Sequence, residues 1–136
     1  MTKQQIKKSW LVLSLIMVGT SLLIFQAAEA LACEIEVKVH GEPQAVYKVG
    51  DEVILKVSVF LSHRNCPEGI EATQFKAEGM EVLGATQWTE TSDNHFERLV
   101  KVKITSTEDG EASLHAKRTC SKEGGYGFIA LKVVSA

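Results

Sequence analysis

The side chains best suited to chemistry in this chain are three cysteines, Cys33, Cys66 and Cys120, and four histidines, His40, His63, His95 and His115. Cys66 and Cys120 have more than one use. As a disulfide they would close a long loop, which in the chain-entropy model stabilises a small domain by roughly 4 kcal/mol. As thiolates they would join His63, three residues before Cys66 in His63-Arg-Asn-Cys66, in a metal site, with His95 as a further ligand. Nitrogen and sulfur donors of this kind suit zinc or copper, or a haem iron. Arg118 and Lys122 flank Cys120 and would favour its thiolate, as a redox thiol requires, but no Cys-x-x-Cys is present. The disulfide Cys66 to Cys120, with no resident cofactor, is the expected arrangement. The metal set His63, Cys66 and Cys120 is the alternative.

Catalysis is not expected. No Gly-x-Ser-x-Gly, His-Glu-x-x-His or Gly-Lys-Ser/Thr occurs, so the sequence carries no nucleophile elbow, zinc-protease helix or phosphate loop. Glu68, Glu71 and Glu78 fall at different points of one strand and its flanks, which gives no facing pair of carboxylates for acid and nucleophile work.

The first thirty residues favour the disulfide by naming a compartment. Met1 to Trp10 holds Lys3, Lys7 and Lys8 and no acid, and Leu11 to Phe25 then runs without a charge. That apolar run is shorter than the roughly 20 residues a membrane-spanning helix needs, and the small residues of Ala27-Ala28-Glu29-Ala30-Leu31-Ala32 follow it. Residues 1–32 therefore read as a signal peptide cut after Ala30 or Ala32, and residues 33–136 as one domain, exported to the periplasm or beyond. Exported domains form disulfides routinely. A cut after Ala32 would leave Cys33 first. A cysteine there resembles the acceptor of a bacterial lipoprotein, which implies lipidation of Cys33 and a tether to the membrane. The preceding Ala30-Leu31-Ala32 departs from that family's order of Leu, a small residue, then Gly or Ala.

From position 33 onward the chain carries 12 basic and 16 acidic residues. A net charge near −4 without a basic run excludes a nucleic-acid partner as the expectation, since phosphate contacts need clustered cations. An envelope or secreted protein is the expected partner.

Past Cys33 the apolar residues alternate or run in short blocks between Gly, Asn, Asp and Ser, the pattern of strands rather than helices. Seven strands are predicted: A at 35–39, B at 53–61, C at 69–77, D at 80–89, E at 96–104, F at 112–120 and G at 128–134. Phe96, Leu99 or Val100, Val102 and Ile104 are expected to face inward, and Trp88 and Phe75 to lie in the core. Turn signals about every ten residues point to a two-sheet sandwich. The segment Tyr47-Lys-Val-Gly-Asp-Glu-Val-Ile-Leu-Lys-Val resembles the entry to strand B of bacterial immunoglobulin-like domains. The resemblance implies an all-β, seven-stranded immunoglobulin-like sandwich after the signal peptide. The Cys66, Trp88, Cys120 order departs from that of antibody domains, because Cys66 lies past strand B and Trp88 on strand D.

If the strands alternate up and down, the loops after B, D and F gather at the end where A begins. That end would bring together Cys33, Cys66 and Cys120, with His63, Arg64 and Glu68 from the B-C loop, His95 from the D-E turn, and Arg118, Lys122 and Tyr126 from the F-G loop. These are the candidate binding residues, since loops vary cheaply while sheets hold them. Gly124-Gly-Tyr-Gly127 is expected to be a flexible hairpin loop. His40 falls at the far end, and His115 is less well placed than the others.

Overall fold

The computed structural model describes residues 33–62, 68–106, 109–120 and 124–135. The expected signal peptide lies outside the described residues, as do His63, Arg64, Cys66 and Lys122. Nine strands are present among the described residues: β1 (Cys33–Val39), β2 (Tyr47–Lys48), β3 (Glu52–Leu61), β4 (Thr73–Glu78), β5 (Met80–Ala85), β6 (Thr89–Ser92), β7 (His95–Ile104), β8 (Glu111–Arg118) and β9 (Gly125–Val134). One sheet has the order β1-β3-β7-β5, with β6 also paired to β7. The other has the order β2-β9-β8-β4. Renamed by the predicted strands, the sheets are A-B-E-D and G-F-C, which is the immunoglobulin-like arrangement.

Period-two burial drives the assembly. On β3, Val53, Leu55, Val57, Val59 and Leu61 point inward while Ile54, Lys56, Ser58 and Phe60 point out. β-Branched side chains pack well on such a half-buried pleat. A slip of one residue would turn the whole apolar row to water, so the β3–β7 ladder from Glu52↔Lys103 to Phe60↔His95 has one workable register. Across the sandwich, Ala112, Leu114 and Ala116 of β8 and Leu131 and Val133 of β9 complete the core.

Three departures from the expected strands have physical causes. β2 is only two residues long and pairs parallel with β9, too short to leave a periodic signal. It is held by the burial of Tyr47 and by the turn at Gly50, whose positive φ of 98° lets Lys48 and Asp51 close on each other. Ile70–Ala72 form a single 3-10 turn before β4, capped by Gly69, not the start of strand C. Strand D is split. A bulge between Val82 and Gly84 bends β5, and Thr86 takes over the pairing with Leu99 through its main chain and its hydroxyl. Of the two alternatives on β7, Val100 is the buried one.

The expected flexible loop at Gly124 to Gly127 is corrected: Gly125 and Gly127 belong to β9 and are buried. A Cβ on Gly125 would fall onto the Cys33 carbonyl oxygen, and one on Gly127 onto that of Ile35. The glycines are there because β1 crosses β9 backbone to backbone, joining the two sheets at one end.

Candidate functional site

Arg118 was expected in a binding loop, and the structure corrects this. It is the last residue of β8 and 1% exposed, the largest fully buried side chain of the described residues. Its position on the inward row, with Leu114 and Ala116, turns the guanidinium into the sandwich. There Nη1 donates to the Ile70 carbonyl at 2.9 Å and to Thr73 Oγ1 at 2.8 Å, and Nη2 donates to the Gly69 carbonyl at 2.6 Å. Thr73 Oγ1 in turn donates to the Ile70 carbonyl at 2.8 Å. A buried cation needs hydrogen-bond acceptors, and the planar fork lets the two Nη groups meet three converging oxygens at once. Arg118 therefore ties the segment entering β4 to the end of β8. It is unavailable to a partner.

The exposed chemistry lies on the outer face of the four-stranded sheet. Strand alternation sends Gln74, Lys76 and Glu78 of β4, Ser113, His115 and Lys117 of β8, and Tyr126, Phe128 and Ala130 of β9 to that side. Register sets His115 opposite both Lys76 and Phe128, and Lys117 opposite Tyr126. His115, Tyr126 and Phe128 gather with ring centroids 5.6–5.9 Å apart and planes within 30° of one another. With its proton on Nε2, the imidazole donates to Ser113 Oγ at 2.9 Å and accepts from the Tyr126 hydroxyl at 2.5 Å. Tyr126 remains 48% exposed and Phe128 55% exposed. Lys76 and Glu78 pair at 2.6 Å at the edge, and each shifts the other: the lysine ammonium holds the Glu78 carboxyl below its ordinary range, and the carboxylate raises the Lys76 ammonium.

The Ser113 to His115 contact has the distance of a nucleophile and its base, but the setting does not support acyl transfer. The two residues stand two apart on one open strand, and the neighbouring main-chain N–H groups are committed to ladders with β4 and β9, so they are not free to hold an oxyanion. What the arrangement offers is a fixed aromatic surface with polar groups at its rim, which suits docking.

The other candidates are distributed as follows. Tyr126 belongs to this face, not to a loop, because β9 begins at Gly125. His95 begins β7 on the outer face of the five-stranded sheet, stacked on Phe60 with centroids 4.3 Å apart, so its ring faces away from the interior. Glu68 is exposed just before the 3-10 turn. Cys120 is half-buried two residues past Arg118, and no disulfide joins it to Cys33. Cys33 is 1% exposed, its side chain in the core at the start of β1. No group of three or more metal-ligating side chains occurs among the described residues. Phe75 and Trp88 are half-buried at the edge of the core, with the Arg98 guanidinium 5.8 Å and 5.0 Å from their ring centres.

His115 and Phe128 were missed as functional residues. The available signal was the outward parity of β8 and β9, which puts five ring or lysine side chains on one side. Sequence separation hid it, since His115 and Phe128 become neighbours only through the β8–β9 register.

No protein-family model and no curated protein matches the chain. Among solved structures, the M1 domain from titin is similar at 16% sequence identity and a TM-score of 0.40, over 76% of this chain and 94% of that one.

Proposed function

We propose that this chain is an exported, non-enzymatic binding domain that docks on an envelope or secreted protein through the outer face of its four-stranded sheet. The observation that carries the reading is the pair Tyr126 and Phe128, half-exposed and held in place by His115. Rings left in water by a domain that has a complete core elsewhere favour a partner that covers them. Residues 1–32 supply export, with cleavage after Ala30 or Ala32, and Cys33 serves as a core thiol. A Cys66 to Cys120 disulfide fixes the B-C and F-G loops beside the sheet. The Arg118 clamp supports this pairing, because it already holds the end of β8, where the F-G loop begins, to the segment that follows the B-C loop.

Two measurements test the proposal. Intact mass of the protein from its native envelope should show the leader removed, no acyl group, and two hydrogens fewer than after reduction. Alkylation of both Cys66 and Cys120 only after chelation would replace the disulfide with the zinc or copper site. A photo-crosslinking residue at Phe128 should give one discrete protein adduct in the native envelope, and the same residue at Lys101, on the opposite sheet, none. Equal labelling from both positions, or none from Phe128, removes the docking face.

A further inference from the structure

We infer that the partner of this face is an acidic protein segment that presents an aliphatic or aromatic side chain to Tyr126 and Phe128. This rests on the reading of the face as a docking surface and adds the chemistry of what it binds.

The charges on this side of the sheet are lopsided. Lys48, Lys76, Lys117 and Lys132 point outward against Glu78 and Glu111, and Glu78 is already satisfied by Lys76 at 2.6 Å. The domain as a whole is acidic, with 16 acids against 12 bases from position 33 on. A cationic rim on an anionic domain is a local feature, and it surrounds the aromatic residues. Between β4 and β9 a depression of about 460 Å³ is lined by Gln74, Lys76, Glu78, His115, Lys117 and Tyr126, with Phe75 beneath. It has the size of a pocket for one large apolar side chain and its flanking peptide, with the Lys117 ammonium on one side to meet a carboxylate and the Lys76–Glu78 pair on the other.

The same charges argue against the other occupants. Two copies of this chain packed face to face would bring the lysines of each onto those of the other, a like-charge contact that costs affinity. Single-stranded nucleic acid also combines cations with stacked rings, but it needs a charged groove that tracks a backbone. Here the four lysines lie on four different strands around an apolar centre. A neutral glycan would use the rings and leave the lysine rim without a counterpart.

The test is amide-resolved NMR on the ¹⁵N-labelled protein in the form the cell exports. The probes are a peptide alternating aspartate with leucine and phenylalanine, the same peptide with lysine for aspartate, an oligothymidylate and a chitin oligosaccharide. The acidic peptide should shift the amides of 74–78, 113–117 and 126–130 and no others. It should bind at least roughly ten-fold more tightly than its lysine counterpart and weaken as salt is raised. Lys117→Glu, an exposed change that leaves the ring cluster in place, should erase that preference. Equal binding of the two peptides overturns the acidic partner, as does a stronger response of the same amides to oligothymidylate or chitin, and in both cases the docking face survives. Silence of these amides toward all four probes overturns the docking face as well.

Discussion

The two outer faces of this sandwich are built from strands of the same kind and end in different chemistry. On the five-stranded sheet, Glu36 pairs with Lys38 at 2.7 Å, Glu52 with Lys101 at 2.6 Å and Glu97 with Lys56 at 3.2 Å, and Ser58 Oγ donates to Glu97 at 3.1 Å. Its charges answer one another within the face, which leaves a solvated surface with little for a partner to satisfy. On the four-stranded sheet the outward row holds rings at its centre, and its rim carries four lysines, Lys48, Lys76, Lys117 and Lys132, against two carboxylates, Glu78 and Glu111. Alternation along a strand only decides which side chains leave the core. What a face can do depends on whether those side chains find partners within it.

The comparison is open to attack at its foundation first. Arg118→Ala should destabilise the domain by about 3 kcal/mol or more in urea unfolding, because it removes three hydrogen bonds and empties the space of the largest fully buried side chain. Arg118→Lys should recover only part of that loss, since one ammonium cannot reach three oxygens with the same geometry. Comparable stability of the Ala variant and wild type would mean that the guanidinium does not fasten this end. Next comes the support of the aromatic row: Gly127→Ala should cost about 1–3 kcal/mol, by forcing β9 off the Ile35 carbonyl. Gly84→Ala on β5, which meets nothing within 4 Å and has no left-handed φ, should be neutral within about 0.5 kcal/mol.

The faces themselves are compared by Phe128→Ala and Ile54→Ala, both of exposed residues, one on each outer face. Each should change stability by less than about 1 kcal/mol. Only the first should weaken partner capture, by roughly ten-fold or more. Loss of capture in the Ile54 variant instead would move the site to the other sheet. The smallest expected effect is a response to acid on the charged face. Lys56, with desolvation opposing and Ser58 assisting, holds the Glu97 carboxyl below its ordinary value of 4.5. A carboxyl depressed in the folded state contributes stability above its unfolded pKa and loses it as pH falls through the lower folded value. Glu97→Gln should therefore flatten the stability curve only below about pH 4.5, and by tenths of a kcal/mol, because the pair is half open to water. A difference centred near neutrality would show that another group is responsible.

Much of the scaffold was legible from alternation alone. Strands 53–61, 96–104 and 112–120 fall within a few residues of β3, β7 and β8, because a face buried against a second sheet leaves an unmistakable period of two. The site was less legible. Arg118 looked like a loop cation beside Cys120, yet it ends a strand on the inward row, and its burial depends on two carbonyls and a hydroxyl 45 or more residues away in sequence. The Gly124 to Gly127 run looked like a flexible turn. Glycine is equally the residue for a close crossing of backbones, and only the path of β1 over β9 distinguishes the two uses.

By itself, then, the sequence determined an all-β domain with two sheets and the pattern of inward and outward residues along its longer strands. Those follow from local periodicity, a property of neighbours in the chain. The tertiary structure decided which outward residues meet. It joined His115 to Phe128 and Tyr126, buried Arg118 and Cys33, and balanced the charges of one face while leaving the other with more lysines than carboxylates. Each of these outcomes depends on strand register and sheet order, which bring together residues far apart in sequence.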